Sequence, residues 1–465
     1  MAKIVPDVVI CGFVVMALLL VHFFSDILRL SLGGYYTHAT LSQLVESQSS
    51  KDYAWLLKLL ANCFGYSCVF VPGYLIYKYV KRTKYLEKSE KTCIYTAVSM
   101  CITGTPGTEL DYSEQLQRKP IEPQLKPQQY NGTEKRTKSQ ETVLLCWCFG
   151  GLMISYLTWG VLQEKIMTQQ YFNYDGQPSN FKDSQFLVFC NRLSAFMCAI
   201  VTLHIKRTPG RHYTPLYKYS FASFSNIMSA WFQYEALKFV SFPTQVLAKA
   251  CKIIPVMLMG KLISKNKYDW YEYVSAILIS LGMIFFMTGS ANSTKASSVT
   301  TFTGIFLLTM YLTCDSFTAN WQDDLFKNYE ISSLQMMAGV NLFSTIFTAT
   351  SLWVQGGFID SLAFASEHPK FIFDALTISM CSAVGQLFIF YTISVFGAVV
   401  FTIIMTLRQA FAILLSCLIY KHHISALGVF GILVVFFAVF MRSYGKQRMK
   451  AIRKRAEAHK PKMAA

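Results

Sequence analysis

The sequence predicts an all-α polytopic membrane protein, with a ten-helix core of two inverted five-helix repeats and two N-terminal transmembrane segments ahead of it. Three observations carry this. Hydrophobic residues fill 53% of the 465 positions and charged ones 15%, where a soluble domain carries about 25% charged. The apolar residues gather in twelve runs, each near the roughly 20 residues that cross a bilayer. Lys and Arg number 43 against 26 Asp and Glu, so the net charge is +17, and it falls in alternate loops. Such a composition excludes a disordered chain and argues against a soluble nucleic-acid binder.

The first run, Val8–Phe24, is long enough for a signal peptide. No small-residue exit follows it; "HFFSDILRL" does, so a retained signal-anchor is expected. Ala54–Tyr79 is the second run and closes an N-terminal pair over 1–80. Residues 81–140 are rich in Pro, Gln, Thr and charge, cannot build a core, and read as a flexible basic cytosolic loop.

Ten core runs follow. Thr142–Gln163, Gln185–Ile205, Tyr217–Phe239, Pro243–Ser264 and Trp270–Ser290 make a first half over 142–290. Thr300–Trp321, Leu334–Gln355, Lys370–Ile393, Gly397–Tyr420 and Ser425–Met441 make a second over 300–441, and 442–465 is a basic tail. An odd number of spans per half makes the halves insert in opposite senses, the pattern of an inverted repeat. Sliding Val240–Lys265 by 156 residues onto Phe396–Lys421 sets Lys252 on Arg408. The same shift matches Leu258/Leu414, Leu262/Leu418, Ile263/Ile419 and Lys265/Lys421.

Placing the N-terminus in the cytosol puts four basic stretches on that side: the long loop, 206–218, 261–270 and the tail. Together they hold +18, and everything else sums to −1. Both termini are then cytosolic. The acidic turn at Asp323, Asp324 and Glu330 is the exception.

Most of the thirteen cysteines sit in apolar runs, and none forms a C-x-x-C pair. Neither a disulfide scaffold nor a metal site is expected. No cofactor is expected either. The motifs of P-loop nucleotide hydrolases, zinc peptidases and serine hydrolases are absent, which argues against an enzyme. His422 and His423 read as a solvated turn. Of two glycosylation sequons, Asn131 falls on the cytosolic side and Asn292 on the lumenal side.

Charges inside membrane runs are the chemical signal, since each costs about 2.5–3.5 kcal/mol at the bilayer centre. Lys249 and Lys252 lie mid-run at i, i+3 and share a face; Arg408 lies near the middle of its own run. Glu235 and Asp315 are the candidate counter-charges. Two carboxylates cannot neutralise three cations, so an anionic ligand is expected, with Arg offering a planar fork and Lys a point charge. Lys58 and Lys261, near run ends, fit snorkelling instead. Pro255 should disturb its helix, and Gly260 allows close packing. Tyr311, Asn341, Gln386, Tyr234 and Tyr391 could read a base or ribose, or simply bond between helices.

The run "EALKFVSFPTQVLAKACKIIPVMLMGKLISKNKYDWYEYVSAILISLGMIFF" (235–286) resembles the nucleotide-sugar transporter family of the drug/metabolite transporter superfamily. So does "FGAVVFTIIMTLRQAFAILLSCLIYKHHIS" (396–425). "PTQVLAKACKIIPVM" and "FTIIMTLRQAFAILLS" look like the branch that carries 3′-phosphoadenosine 5′-phosphosulfate (PAPS) into the Golgi. The resemblance implies an antiporter in the Golgi membrane that exchanges PAPS for a nucleotide monophosphate-type counter-substrate by alternating access. It assigns substrate contact to Lys249 or Lys252 and to Arg408. A UDP-sugar transporter of the same fold is the alternative. The GDP-mannose signatures F-Y-N-N and G-A-L-N-K are absent. Lys462 lacks the second Lys of a dilysine retrieval signal, which fits Golgi residence. The partners implied are the substrate, its counter-substrate and the lipid bilayer, with no nucleic acid; a homo-oligomer is left open.

Overall fold

The computed structural model describes residues 5–31, 54–88, 92–104, 138–168, 170–173, 178–181, 184–206, 214–236, 239–240, 245, 248–249, 251–290, 302–329, 331–355, 357–419 and 426–458. The described residues are helical almost throughout. In order it forms α1 (Val5–Ser31), α2 (Ala54–Thr83), α3 (Tyr85–Lys88), α4 (Cys93–Ile102) and α5 (Lys138–Thr168). A short hairpin follows, β1 (Gln170–Phe172) and β2 (Pro178–Asn180), antiparallel with Tyr171 opposite Ser179. Then come α6 (Ser184–Lys206), α7 (Tyr217–Ala236), α8 (Ile253–Ile263), α9 (Trp270–Ser290) and α10 (Phe302–Asn328). The last are α11 (Ser333–Gln355), α12 (Gly357–Glu367), α13 (Pro369–Phe396), α14 (Ala398–Ile419) and α15 (Ala426–Ala458). Among the described residues six helices are long and apolar enough to cross a membrane, and shorter apolar helices accompany them. Large apolar side chains such as Leu18, Trp147, Ile154 and Phe373 point outward, as a lipid-facing surface requires.

Contacts divide the chain into two interleaved units. Unit 1 is Met1–Phe224 with Leu325–Tyr391; unit 2 is Ser225–Asp324 with Thr392–Ala465. Each takes helices from both of the halves read in the sequence.

In unit 1, α1 and α2 lie against each other and on α11, which packs along α6. Tyr66, Phe70, Phe224 and Phe347 form an aromatic knot, with Phe70 stacked on Phe347 at 5.1 Å. One end is closed by the hairpin and α12. Tyr171, Phe181, Phe186 and Phe371 form its core. Asp374 accepts hydrogen bonds there from Lys165 (2.8 Å) and the Tyr171 hydroxyl (3.0 Å).

The region read as flexible loop begins differently. Thr92 caps α4 by accepting the Tyr95 N–H, and α4 buries Tyr95, Val98 and Ser99. Tyr95 and Val98 join Ile10, Val80 and Tyr85 in one cluster. Tyr85 and Thr92 donate to the Asp7 carboxylate on α1. The ten residues of α4 are apolar enough to pack but too short to span, which hides them in a search for spans.

In unit 2, α9 and α15 pack along their length. Gly282 and Gly431 face each other: a Cβ on Gly282 would meet the Gly431 carbonyl at 2.8 Å, and one on Gly431 would meet Phe286 Cα at 2.9 Å. Small residues are what permit so close an approach of backbones in a bilayer. Arg442 pairs with Glu272 at 3.2 Å beside this contact. Beyond Arg442 the backbone of α15 continues as helix to Ala458, where the sequence suggested a tail; Ala, Lys, Arg and Met are strong helix formers.

Helix α10 likewise outruns its predicted end, carrying Asp323 and Asp324 in its last turns rather than in a loop; Asp323 is buried. Glu330, Asn131, Asn292, His422 and His423 lie outside the described residues. Gly397 joins α13 to α14 at φ +83, a conformation that costs a side chain strain.

Candidate functional site

The central expectation was one helix over Pro243–Ser264 carrying Lys249 and Lys252. The structure differs in a way Pro255 explains. The run is interrupted: Gln245, Ala248 and Lys249 are helical, Cys251 and Lys252 form a turn, and α8 begins at Ile253 with Lys252 at its N-cap position. Ahead of it the chain turns by i→i+3 bonds, Cys251 N–H to Ala248 C=O and Lys252 N–H to Lys249 C=O, both 3.2 Å. Pro255 has no N–H to give the Cys251 carbonyl; Ile254 donates to it instead, at 3.2 Å.

Helix α8 is seated between two partners. Ile253 and Met257 pack with Ile403 of α14, while Val256 packs with Ala319 of α10 and Ala398 of α14. Asn320 on α10 is fully buried and donates from Nδ2 to the Val256 carbonyl at 2.8 Å and to the Ser316 carbonyl at 2.9 Å. That clamp fixes the register of α8 on α10.

The register brings charges together. Asp315 on α10 forms an ion pair with Lys252. Tyr311, one turn earlier on the same face, lies beneath Lys249, whose Nζ is 5.9 Å from the ring centroid. Lys249 interacts electrostatically with Asp315, Lys252 and Arg408. Unit 2 therefore gathers three cations, one carboxylate and one aromatic face from α8, its leading turn, α10 and α14. The ring supplies a cation–π attraction; Asp315 balances one charge. Such a group attracts an anion with several negative charges. Glu235 is buried on α7. A crevice of unit 2, about 320 Å³ and lined by Met283, Phe286, Leu407, Phe411, Ile432, Val435 and Phe436, is apolar and offers an anion nothing.

Asn341 and Gln386 belong to unit 1. Both are buried, and Asn341 Nδ2 donates to Gln386 Oε1 at 2.6 Å and to the Met337 carbonyl at 2.8 Å. Their first role is thus an interhelical bond between α11 and α13. Tyr391 is half-buried on α13, and the Tyr234 side chain lies outside the described residues. Lys261 is exposed near the end of α8, as snorkelling expects. Lys58 is also outside the described side chains.

Several polar residues escaped the sequence reading. Arg192 lies inside a predicted span, and the rule that flagged Lys252 applied to it equally. Asn320 and Gln245 are buried amides with no charge to draw notice; Gln245 donates to the Gln233 carbonyl at 2.8 Å. Among the described residues no cluster could hold a metal ion, and all cysteines are free.

The profile of the UAA transporter family matches residues 144–446. The chain is 68% identical to adenosine 3′-phospho 5′-phosphosulfate transporter 1 of Drosophila melanogaster, over 99% of this chain and 98% of that protein. It is 48% identical to the Homo sapiens protein of the same name, over 86% of this chain and 90% of that one. With UDP-galactose/UDP-glucose transporter 5 of Arabidopsis thaliana it shares 36% identity over 68% of this chain and 91% of the relative.

Proposed function

The chain belongs to the UAA transporter family, and from that premise we propose that it is an antiporter of the Golgi membrane. It moves PAPS from cytosol to lumen and returns a nucleotide monophosphate-type product by alternating access. The observation that carries this is the unit 2 charge group, in which Lys249, Lys252 and Arg408 meet one carboxylate, Asp315. PAPS is strongly anionic, with a 3′-phosphate and a 5′-phosphosulfate. Relatives named for PAPS transport match nearly the whole chain, and the UDP-sugar relative matches less of it at lower identity.

In this reading the three cations take the phosphosulfate end. Lys252 leaves Asp315 when the anion arrives and returns to it when the anion departs. An unpaired cation inside the bilayer is costly, so the return step favours a site reloaded with a second anion. Exchange follows from that cost. Tyr311 stacks on the nucleoside; Asn341 and Gln386, in unit 1, are proposed as substrate contacts in their own right, open to a ligand once their mutual bond breaks.

We assign the core to inverted halves, 142–290 and 300–441. Supporting this, the residues matched by the 156-residue shift, Lys252 and Arg408, both fall in unit 2. The basic loops and tail support cytosolic termini.

The test is uptake into proteoliposomes holding purified protein and preloaded with AMP or adenosine 3′,5′-bisphosphate, offered PAPS, UDP-sugars and GDP-sugars in turn. PAPS uptake that needs internal nucleotide is expected. Uptake of UDP-sugars alone, or of nothing above empty vesicles, sinks the proposal.

A further inference from the structure

The last turns of α15 carry charge in a pattern that transport does not use. From Arg442 to Ala458 the helix holds seven Lys or Arg and one acid, Glu457. At about 100° per residue, the positions of Arg442, Lys446, Lys450, Arg453 and Lys454 fall within about a third of the helix circumference. Ile432, Val435, Phe436 and Val439 occupy that same third below them. One stripe of α15 is therefore apolar up to Val439 and mainly basic from Arg442 onward.

The apolar part of the stripe lines a crevice within unit 2. Ile432, Val435 and Phe436 form it with Met283 and Phe286 of α9 and Leu407 of α14. Phe436 is 48% exposed, so the crevice reaches the outer surface. Its rim is held by packing: Arg442 pairs with Glu272 at 3.2 Å, and a Cβ on Gly445 would meet the Tyr271 ring at 2.7 Å. Trp270 and Tyr444 stand exposed at this level, as aromatic side chains do where a membrane meets water. Phe436 and Ile432 lie about 9 and 15 Å down the axis from Arg442, within one half of a hydrocarbon core roughly 30 Å thick. Lys446 and Lys450 lie about 6 and 12 Å in the other direction, in and just over the headgroup layer.

We propose that unit 2 binds an anionic phospholipid, with an acyl chain in the crevice and the headgroup phosphates on the basic stripe of α15. A cluster of basic residues next to a span concentrates anionic lipid, and the crevice beneath gives that lipid a seat. Charge that only sets topology needs no particular helix face and no crevice under it. In the orientation proposed above, the leaflet concerned is the cytosolic one, which is the anionic one. The inference rests on that orientation and not on what the protein carries.

The experiment titrates full-length protein in detergent with phosphatidylcholine, phosphatidylserine and a phosphorylated phosphatidylinositol, counting bound lipid by native mass spectrometry. Both anionic lipids should bind about 10-fold or more tightly than phosphatidylcholine; equal binding of all three overturns the proposal. Two double variants remove equal charge, Lys446→Gln with Lys450→Gln on the stripe and Arg448→Gln with Arg455→Gln off it. The first should weaken anionic lipid by about 10-fold and the second by less than about 3-fold. Equal losses would mean general charge attraction and overturn the site. A water-soluble inositol phosphate, which has no chain, should compete poorly with the whole lipid in wild type, and Ile432→Phe, which fills the crevice, should weaken the whole lipid alone. Competition as strong as the lipid's own would remove the chain from the crevice. Because the readout is lipid binding, a failure of PAPS uptake would defeat the transport reading and leave this result standing.

Discussion

Lys252 at the start of α8 and Asp315 on α10 form an ion pair inside a group where two further cations, Lys249 and Arg408, interact with the same neighbourhood. Removing one partner of a fully buried pair costs about 3–5 kcal/mol. These two side chains are 15% and 23% accessible, so about 1–2 kcal/mol is expected after screening. Asp315→Asn should lower the melting temperature in detergent, and Lys252→Met combined with Asp315→Leu should recover part of the loss. A double variant whose loss equals the sum of the singles would show that the pair contributes nothing.

Transport separates the cations from their support. Lys252→Ala and Arg408→Ala should each reduce PAPS uptake by about 10–100-fold, the worth of a hydrogen bond to a charged group. Gel-filtration profiles should match wild type. Full activity in both variants would remove the unit 2 group from the mechanism.

Asn341 and Gln386 are bonded to each other at 2.6 Å, so their substitutions should be coupled. Side-chain bonds between membrane helices are worth about 0.6 kcal/mol on average and up to about 1.7. Asn341→Leu and Gln386→Leu should each lower the melting temperature, and the double variant should lose less than their sum.

Tyr171 gives a pH dependence. Burial first, then its hydrogen bond to Asp374 and that carboxylate's charge, hold its phenol above the ordinary value of 10. A raised value favours the protonated form, so the contribution is complete below pH 10 and is lost as the pH climbs through the folded value. Thermal melts across the alkaline range should fall more steeply for wild type than for Tyr171→Phe. Parallel curves would contradict this.

Gly431 meets α9 backbone to backbone. Gly431→Ala should destabilise the α9–α15 contact by about 1–3 kcal/mol, the usual cost of overpacking. Gly73, whose Cβ would meet nothing within 4 Å, is the control. Melting temperatures of the two alanine variants should differ by several degrees.

Much of this was legible in the sequence for a definite reason. A bilayer demands about 20 apolar residues per crossing, so Trp270–Ser290 and Gln185–Ile205 announced themselves within a residue or so of α9 and α6. Lys252 and Arg408 stood out because charge is rare where they lie. What escaped obeyed other physics. Helix α4 packs beside the spans without crossing, and its short apolar stretch resembled the loop around it. The turn at Cys251 and Lys252 depends on Pro255 and on which carbonyls find donors, and local hydropathy does not register that. The Lys252–Asp315 and Asn341–Gln386 pairs join residues 63 and 45 positions apart. Only tertiary packing selects them from the other polar residues of those runs.

The turn that precedes α8 has an electrostatic consequence. Peptide dipoles along a helix sum to about half a positive charge at its N-terminus. Because α8 begins at Ile253 and no side chain caps it, that backbone charge sits beside Lys252. It cannot be mutated away. Neutralising both lysines would leave a weakened but still positive entrance to α8, and only restoring the helix through Pro255 would move the field elsewhere.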